Sequence, residues 1–110
     1  RDAAAYMGNA GKTVTVNGET AATFALVVGQ GNDNVASLNA FATRVINKAD
    51  DMYPDFGGRI INKAYRFNQY VSDRHLLLEV GNNENNIREA RVCAKYFACV
   101  LAEIIKEDAQ

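Results

Sequence analysis

Glu79 is the side chain whose surroundings point most directly to chemistry. It follows Leu76-Leu77-Leu78 and precedes Val80-Gly81, so it stands inside an apolar stretch that reads as a buried strand. A buried carboxylate is costly unless it is paired, hydrogen-bonded or bound to metal. A carboxyl whose pKa is raised by burial can serve as general base or general acid. The residue lies toward the carboxyl end of its stretch, and open α/β sheets hold ligands just outside the carboxyl ends of their strands. The competing account is a structural ion pair with Arg59 or Arg74, since such pairs also place carboxylates in strands.

Four other groups bear on chemistry. His75 is the only histidine and precedes Glu79 by four residues. At ~3.3 Å per strand residue the two are ~13 Å apart, too far to share a metal, so His75 reads as structural. Arg66, Asn68 and Gln69 form a polar loop near the carboxyl end of the second main strand. Asn82-Asn83-Glu84-Asn85-Asn86 reads both as a turn with a helix cap and as a polar rim beside Glu79. Gly29-Gln30-Gly31 stands between a strand and a helix, where backbone N–H groups can hold anions. It lacks the third glycine of a dinucleotide fingerprint and any Gly-Lys-Ser/Thr, which leaves a plain strand-to-helix turn as the better reading.

The elements that position these residues follow from periodicity. Thr13 to Val16, Asn17-Gly18 and Glu19-Thr20 read as a β-hairpin. Ala22 to Val28 is a nearly continuous apolar run, the pattern of a strand buried on both faces. Val35 to Tyr53 carries apolar residues at helical spacing, with Asn34 as cap and Pro54 as stop. Gly57-Gly58 reads as a turn, Arg59 to Tyr65 as a second strand and His75 to Val80 as a third. Ile87 to Glu107 is a closing helix, opened by Asn86 and Glu89 in a capping-box arrangement. Residues 1–10 read as a loop. Strand, helix, strand, strand, helix predicts an α/β fold: a mostly parallel twisted sheet with flanking helices. Two helices hardly cover both faces of such a sheet, so its first strands are expected upstream of Arg1.

Composition limits the alternatives. The chain has 110 residues and a net charge of -1, which gives no electrostatic case for nucleic acid. One length of this size is a single domain or part of one. No apolar run approaches the ~20 residues of a membrane span. One histidine and two cysteines cannot build a His- or Cys-rich zinc site without carboxylates. Cys93 and Cys99 stand six apart on one helix, ~9 Å along its axis and ~120° around it, which excludes a disulfide between them. The Arg1 start suggests processing or excision from a longer chain.

From Leu77 to Asn86 the sequence becomes specific. Leu77-Leu78-Glu79-Val80-Gly81, then Glu84-Asn85-Asn86 and Arg88-Glu89-Ala90, resembles the closing motif of the stage II sporulation protein P family of bacterial cell-wall amidases. Val28-Gly29-Gln30-Gly31-Asn32 with Asn39, Tyr53-Pro54 with Gly58-Arg59-Ile60, Asn68-Gln69 with Ser72, and Arg1-Asp2-Ala3 are similar to further family segments in the same order. Gly58-Arg59 reverses the family's order. Asn82 replaces a glycine and is expected to take a left-handed backbone; Asn86 replaces a threonine and keeps a capping type.

The resemblance implies a zinc-dependent N-acetylmuramoyl-L-alanine amidase fold acting on peptidoglycan, with an endopeptidase activity also linked to the family. It implies Glu79 as the catalytic acid/base, with Arg66, Asn68 and Asn85 as substrate-binding candidates. The zinc ligands are expected upstream of Arg1, so this stretch is expected to be the C-terminal part of the catalytic domain, without metal ligands and inactive alone. The family further implies an extracytoplasmic, membrane-anchored location during engulfment and a lytic transglycosylase partner. A sheet edge left open by missing strands would favour homo-oligomers. The alternative is a non-catalytic α/β module that binds peptidoglycan or a partner.

Overall fold

The computed structural model describes residues 11–56 and 58–110. The expected loop over residues 1–10, the Arg1-Asp2-Ala3 segment and Gly57 of the expected turn lie outside them. Alternating Thr and Val make β1 (Thr13–Val16), which pairs antiparallel with β2 (Glu19–Ala22). Asn17 and Gly18 join them with φ of 50° and 79°, the left-handed pair that a two-residue hairpin requires. The apolar run that follows is not one strand. It breaks at Thr23, whose carbonyl accepts from the Gly81 N–H at 2.8 Å, and β3 covers Phe24–Gly29, every residue buried.

Helix α1 covers Val35–Met52, β4 Arg59–Lys63, β5 Leu77–Val80 and α2 Ile87–Asp108, with a single 3₁₀ turn at Gln69–Val71. α2 begins as the sequence predicts: Asn86 Oδ1 accepts from Glu89 N–H at 2.8 Å, and Glu89 Oε1 accepts from Asn86 N–H at 3.2 Å. α1 does not. Asn34 makes no side-chain cap. Its amide instead donates across to the loop before β5, to Gln69 O, Ser72 O and Asp73 Oδ1.

The mostly parallel sheet expected from the sequence does not form. The main sheet has the order β4-β3-β5. β4 runs parallel to β3, but β5 runs antiparallel to it, as β2 does to β1. Among the described residues only one of the three pairings is parallel. A further parallel strand would need the chain to cross back along a sheet face. Residues 64–76 instead stay at the carboxyl end of β3, where the Gln69 amide is bonded to Gly29 and Val27. The chain then descends beside β3 in the opposite sense. The run Leu76-Leu77-Leu78 carries the same apolar pattern in either direction, so the pattern did not reveal it.

Strand alternation divides the sheet's faces. Phe24, Leu26 and Val28 face the helices, with Ile60, Leu78 and Val80 beside them. Against them pack Leu38, Ala42, Val45 and Ala49 of α1 and Cys93, Phe97, Val100 and Ile104 of α2. Phe24 anchors this core edge-on to Phe56 at 5.1 Å and Phe97 at 4.9 Å. Gly58 is glycine because a Cβ there would come within 2.3 Å of the Phe24 ring. Both described helices thus lie on one face. The other presents Ala25 and Val27 of β3, flanked by Arg59 and Ile61 on β4 and by Glu79 and Leu77 on β5.

At the end of α2, Asp108 takes both Arg44 from the middle of α1 and Arg74. Hydrogen bonds from the two guanidiniums hold its carboxyl down at about 2. Cys93 is buried and Cys99 exposed, both as free thiols, and burial pushes the Cys93 thiol up to about 12.

Candidate functional site

Glu79 occupies the second residue from the end of β5 and is half-buried, with its Oε2 atom shielded from solvent. It stands in register with Ala25, which stands in register with Arg59. Paired residues point to the same side of a sheet, so carboxylate, methyl and guanidinium form one row on the face away from the helices. Their backbones are separated by two strand spacings, about 10 Å, with only the small Ala25 between. Both Glu79 and Arg59 are engaged by neighbouring groups. Arg74, the other partner considered for Glu79, is committed elsewhere: it pairs with Asp108 and lies 5.3 Å over the Phe41 ring.

Because β5 is antiparallel, its carboxyl end lies at the amino ends of β3 and β4. Asn85 belongs to this end. It is buried, its Oδ1 accepts from Asn82 N–H at 3.0 Å, and its amide donates to Lys12 O and Glu89 Oε1. Asn82 is buried as well and accepts from the N–H groups of Gly11 and Glu84. The left-handed residue of this turn is Gly81, at φ 65°, and not Asn82 as the sequence suggested. The Asn82 side chain is used where a glycine would have none.

Arg66 and Asn68 lie at the opposite end, past Gly29 and Lys63. From Ala25 to Gly29 is four residues, about 13 Å along the strand, so the structure does not gather Glu79, Asn85, Arg66 and Asn68 into one rim. Asn68 is exposed and left-handed, at φ 60°, next to Phe67 at φ 53°. Asparagine is among the few residues that tolerate this region. His75 is exposed and precedes β5.

Gln69 was missed as an organising residue. It is fully buried. Its Oε1 accepts from the Gly29 N–H at 2.6 Å and its Nε2 donates to Val27 O at 2.7 Å. One side-chain amide therefore continues the β5 edge of the ladder past Leu77, the last residue paired with β3. The Asn68-Gln69 pair, read as a polar loop and as one of the family-like segments, was the available signal, but neither reading buries Gln69. The same contacts settle the glycine turn. Gly29 N–H is used by Gln69, and Gln30 N–H by Lys63 O at 2.7 Å, which leaves neither for a phosphate. A Cβ on Gly29 would meet Tyr65 O at 2.2 Å, and one on Gly31 would meet Ala64 O at 2.9 Å. The glycines serve close packing of two backbones.

Beside this turn is a cleft of about 460 Å³ lined by Asn32, Asp33, Asn34, Arg66, Tyr70 and neighbouring residues of the 70–73 loop. Among the described residues no group of three or more His, Cys, Asp and Glu gathers closely enough to hold a metal ion. These residues therefore do not by themselves fit the zinc that the resemblance implies. No described helix is long and apolar enough to cross a membrane.

Comparison with known proteins supports the family resemblance. A family model described as Stage II sporulation protein P matches residues 1–102. The chain is 30% identical over 97 residues to a protein named Stage II sporulation protein P from Bacillus subtilis (strain 168), a match that covers 84% of this chain and 24% of the relative. The chain thus spans about a quarter of that relative's length. No solved structure matches it significantly. With the match running through β1 to α2, the chain belongs to the Stage II sporulation protein P family.

Proposed function

We propose that this chain is part of a peptidoglycan hydrolase in which Glu79 transfers the proton. The supporting observation is the placement of Glu79: a half-buried carboxylate on the sheet face that neither described helix covers, in register with Arg59. Hydrolysis of an amide needs a group that takes a proton from water and returns it to the leaving nitrogen. A carboxylate within reach of both can do so. The Arg59 guanidinium in the same row offers donors to a carbonyl oxygen that gains charge.

In this reading the bond cleaved joins the lactyl group to L-alanine, as the resemblance implies, with cross-linked stem peptides as a further target. Asn85 acts beside Glu79, while Arg66 and Asn68 meet a more distant part of the same polymer. The setting is the outer side of a membrane during engulfment, with anchoring and metal ligands supplied by other parts of the protein. The test is release of peptide from purified cell walls by the complete protein. Glu79→Gln should nearly abolish release and leave wall binding in place. Binding without turnover in the unaltered protein would instead favour a non-catalytic wall-binding module.

A further inference from the structure

We propose that the outward face of α2 is a docking surface for an acidic amphipathic helix of a partner protein. α2 packs on the helix side of the main sheet, opposite the Glu79 row, so the face is independent of the chemistry there.

The buried stripe of α2 is Cys93, Tyr96, Phe97, Val100 and Ile104. A helix with one such stripe ordinarily turns charged and polar residues to solvent on its other side. The outward side of α2 is different. Its exposed residues from 87 to 106 are four cations, five aliphatic side chains and Cys99. The cations are Arg88, Arg91, Lys95 and Lys106. Lys95 pairs with Glu19; among the described residues Arg88, Arg91 and Lys106 make no ion pair. The carboxylates of α2 are engaged elsewhere: Glu89 closes the capping box, Glu107 takes Lys48, and Asp108 takes Arg44 and Arg74. Glu103 is only partly exposed. On a chain whose net charge is -1, such a face is a segregated positive patch and complements an anionic partner.

Shape selects among anionic partners. Ile87 and Ile105 are 63% and 69% exposed although apolar. They stand eighteen residues apart, which is five full turns, so they share one line ~27 Å long. Ala94, Ala98 and Ala102 lie along that line between them. Small side chains at the contact let a second helix approach to about 8 Å, the near end of the usual range, and the two isoleucines close over its ends. Arg88, Lys95 and Lys106 stand about 80–100° around the helix from Ile87, all on one side. There they meet Asp or Glu on the flank of a helix whose apolar stripe covers the alanines. Other anionic surfaces fit less well. A helix lying on lipid presses large apolar side chains into the bilayer, and three alanines offer little such area. A second copy of this face brings four more cations and no exposed carboxylate.

The experiment is fluorescence polarisation of the complete protein with a labelled synthetic helix of five turns, bearing leucine and alanine on one stripe and glutamate beside it. The helix should bind, and raising salt from about 50 to about 300 mM should weaken it at least fivefold. Arg91→Glu combined with Lys106→Glu should weaken binding at least tenfold. Ala98→Arg should do the same although it adds a cation, because it fills the line of close approach. Lys12→Glu, exposed but outside α2, should stay within about twofold of the unaltered protein. Circular dichroism shows whether each variant is folded; if Ala98→Arg is not, the charge-reversed pair decides. The thiol of Ala98→Cys in the complete protein should react readily with a thiol reagent and be shielded at least fivefold by the helix, read by peptide mass spectrometry. No binding, equal binding of the same helix with lysine for glutamate, or undiminished binding by folded Ala98→Arg overturns the proposal. A thiol already shielded before the helix is added overturns it too, since the protein's own chain then covers the face. So does sedimentation with phosphatidylglycerol vesicles, or dimerisation, that Ala98→Arg abolishes.

Discussion

Gln69→Leu removes one amide and should cost the fold more than most buried substitutions of equal size. Leucine fills nearly the same volume, so little cavity opens. What is lost is two partners: the Gly29 N–H, bonded at 2.6 Å, and the Val27 carbonyl, bonded at 2.7 Å, both buried. Leaving a buried donor or acceptor unmade costs about 1–3 kcal/mol each, so the pair predicts a loss of about 2–6 kcal/mol. With a urea slope of about 2 kcal/mol/M, typical of small domains, the unfolding midpoint should fall by about 1 M or more. Equilibrium urea unfolding followed by far-UV ellipticity measures this. Gln69→Glu makes the mechanism specific: it keeps an acceptor for Gly29 but loses the donor to Val27 and buries a charge, so its defect should lessen at acid pH. A midpoint shift under about 0.3 M for Gln69→Leu would refute the claim that this amide completes the ladder.

Three further outcomes follow from the same packing. Gly58→Ala should destabilise by about 1–3 kcal/mol, as overpacked cores do, because the new methyl meets the buried Phe24 ring; thermal melting measures it. In the native protein a thiol reagent should modify Cys99 and spare Cys93, which is buried and whose thiol is pushed up to about 12; peptide mass spectrometry before and after urea checks the contrast. Asp108, held at about 2 against an ordinary 3.8 by Arg44 and Arg74, contributes stability that is fully present above the ordinary value and disappears as pH falls toward 2. The melting temperature of the unaltered protein should therefore exceed that of Asp108→Asn at neutral pH, and the two should converge at about pH 2.

The parts of the fold legible in the sequence are those fixed by neighbouring residues. Asn17-Gly18 dictates its hairpin because the two backbone conformations it permits match the turn. Asn86 and Glu89 declare the start of α2 because a capping box spans only four positions. Strand direction is a different kind of property. β3 and β5 are both apolar runs, and a run reads the same whether its neighbour is parallel or antiparallel. Direction was set instead by where residues 64–76 travel, and that depends on Gln69 reaching Val27, forty-two residues earlier. The same long-range dependence governs the site. Glu79 was recognisable as an unusual carboxylate, but the reversal of β5 puts it at the amino ends of its neighbours, away from Arg66 and Asn68. Asn34 illustrates the opposite error: its position before α1 is that of a cap, yet the 69–73 loop offers its amide three acceptors and takes it away from the helix.

The rate of new amino-terminus release from purified cell walls tests the proton-transfer role of Glu79 most directly. Positioned acid–base groups contribute about 10²–10⁴-fold. Glu79→Gln in the complete protein should thus slow release by about a hundredfold or more, with unchanged circular dichroism and unchanged sedimentation with the walls. Release at more than about a third of the unaltered rate, from a variant folded and wall-bound to the same degree, would contradict the assignment.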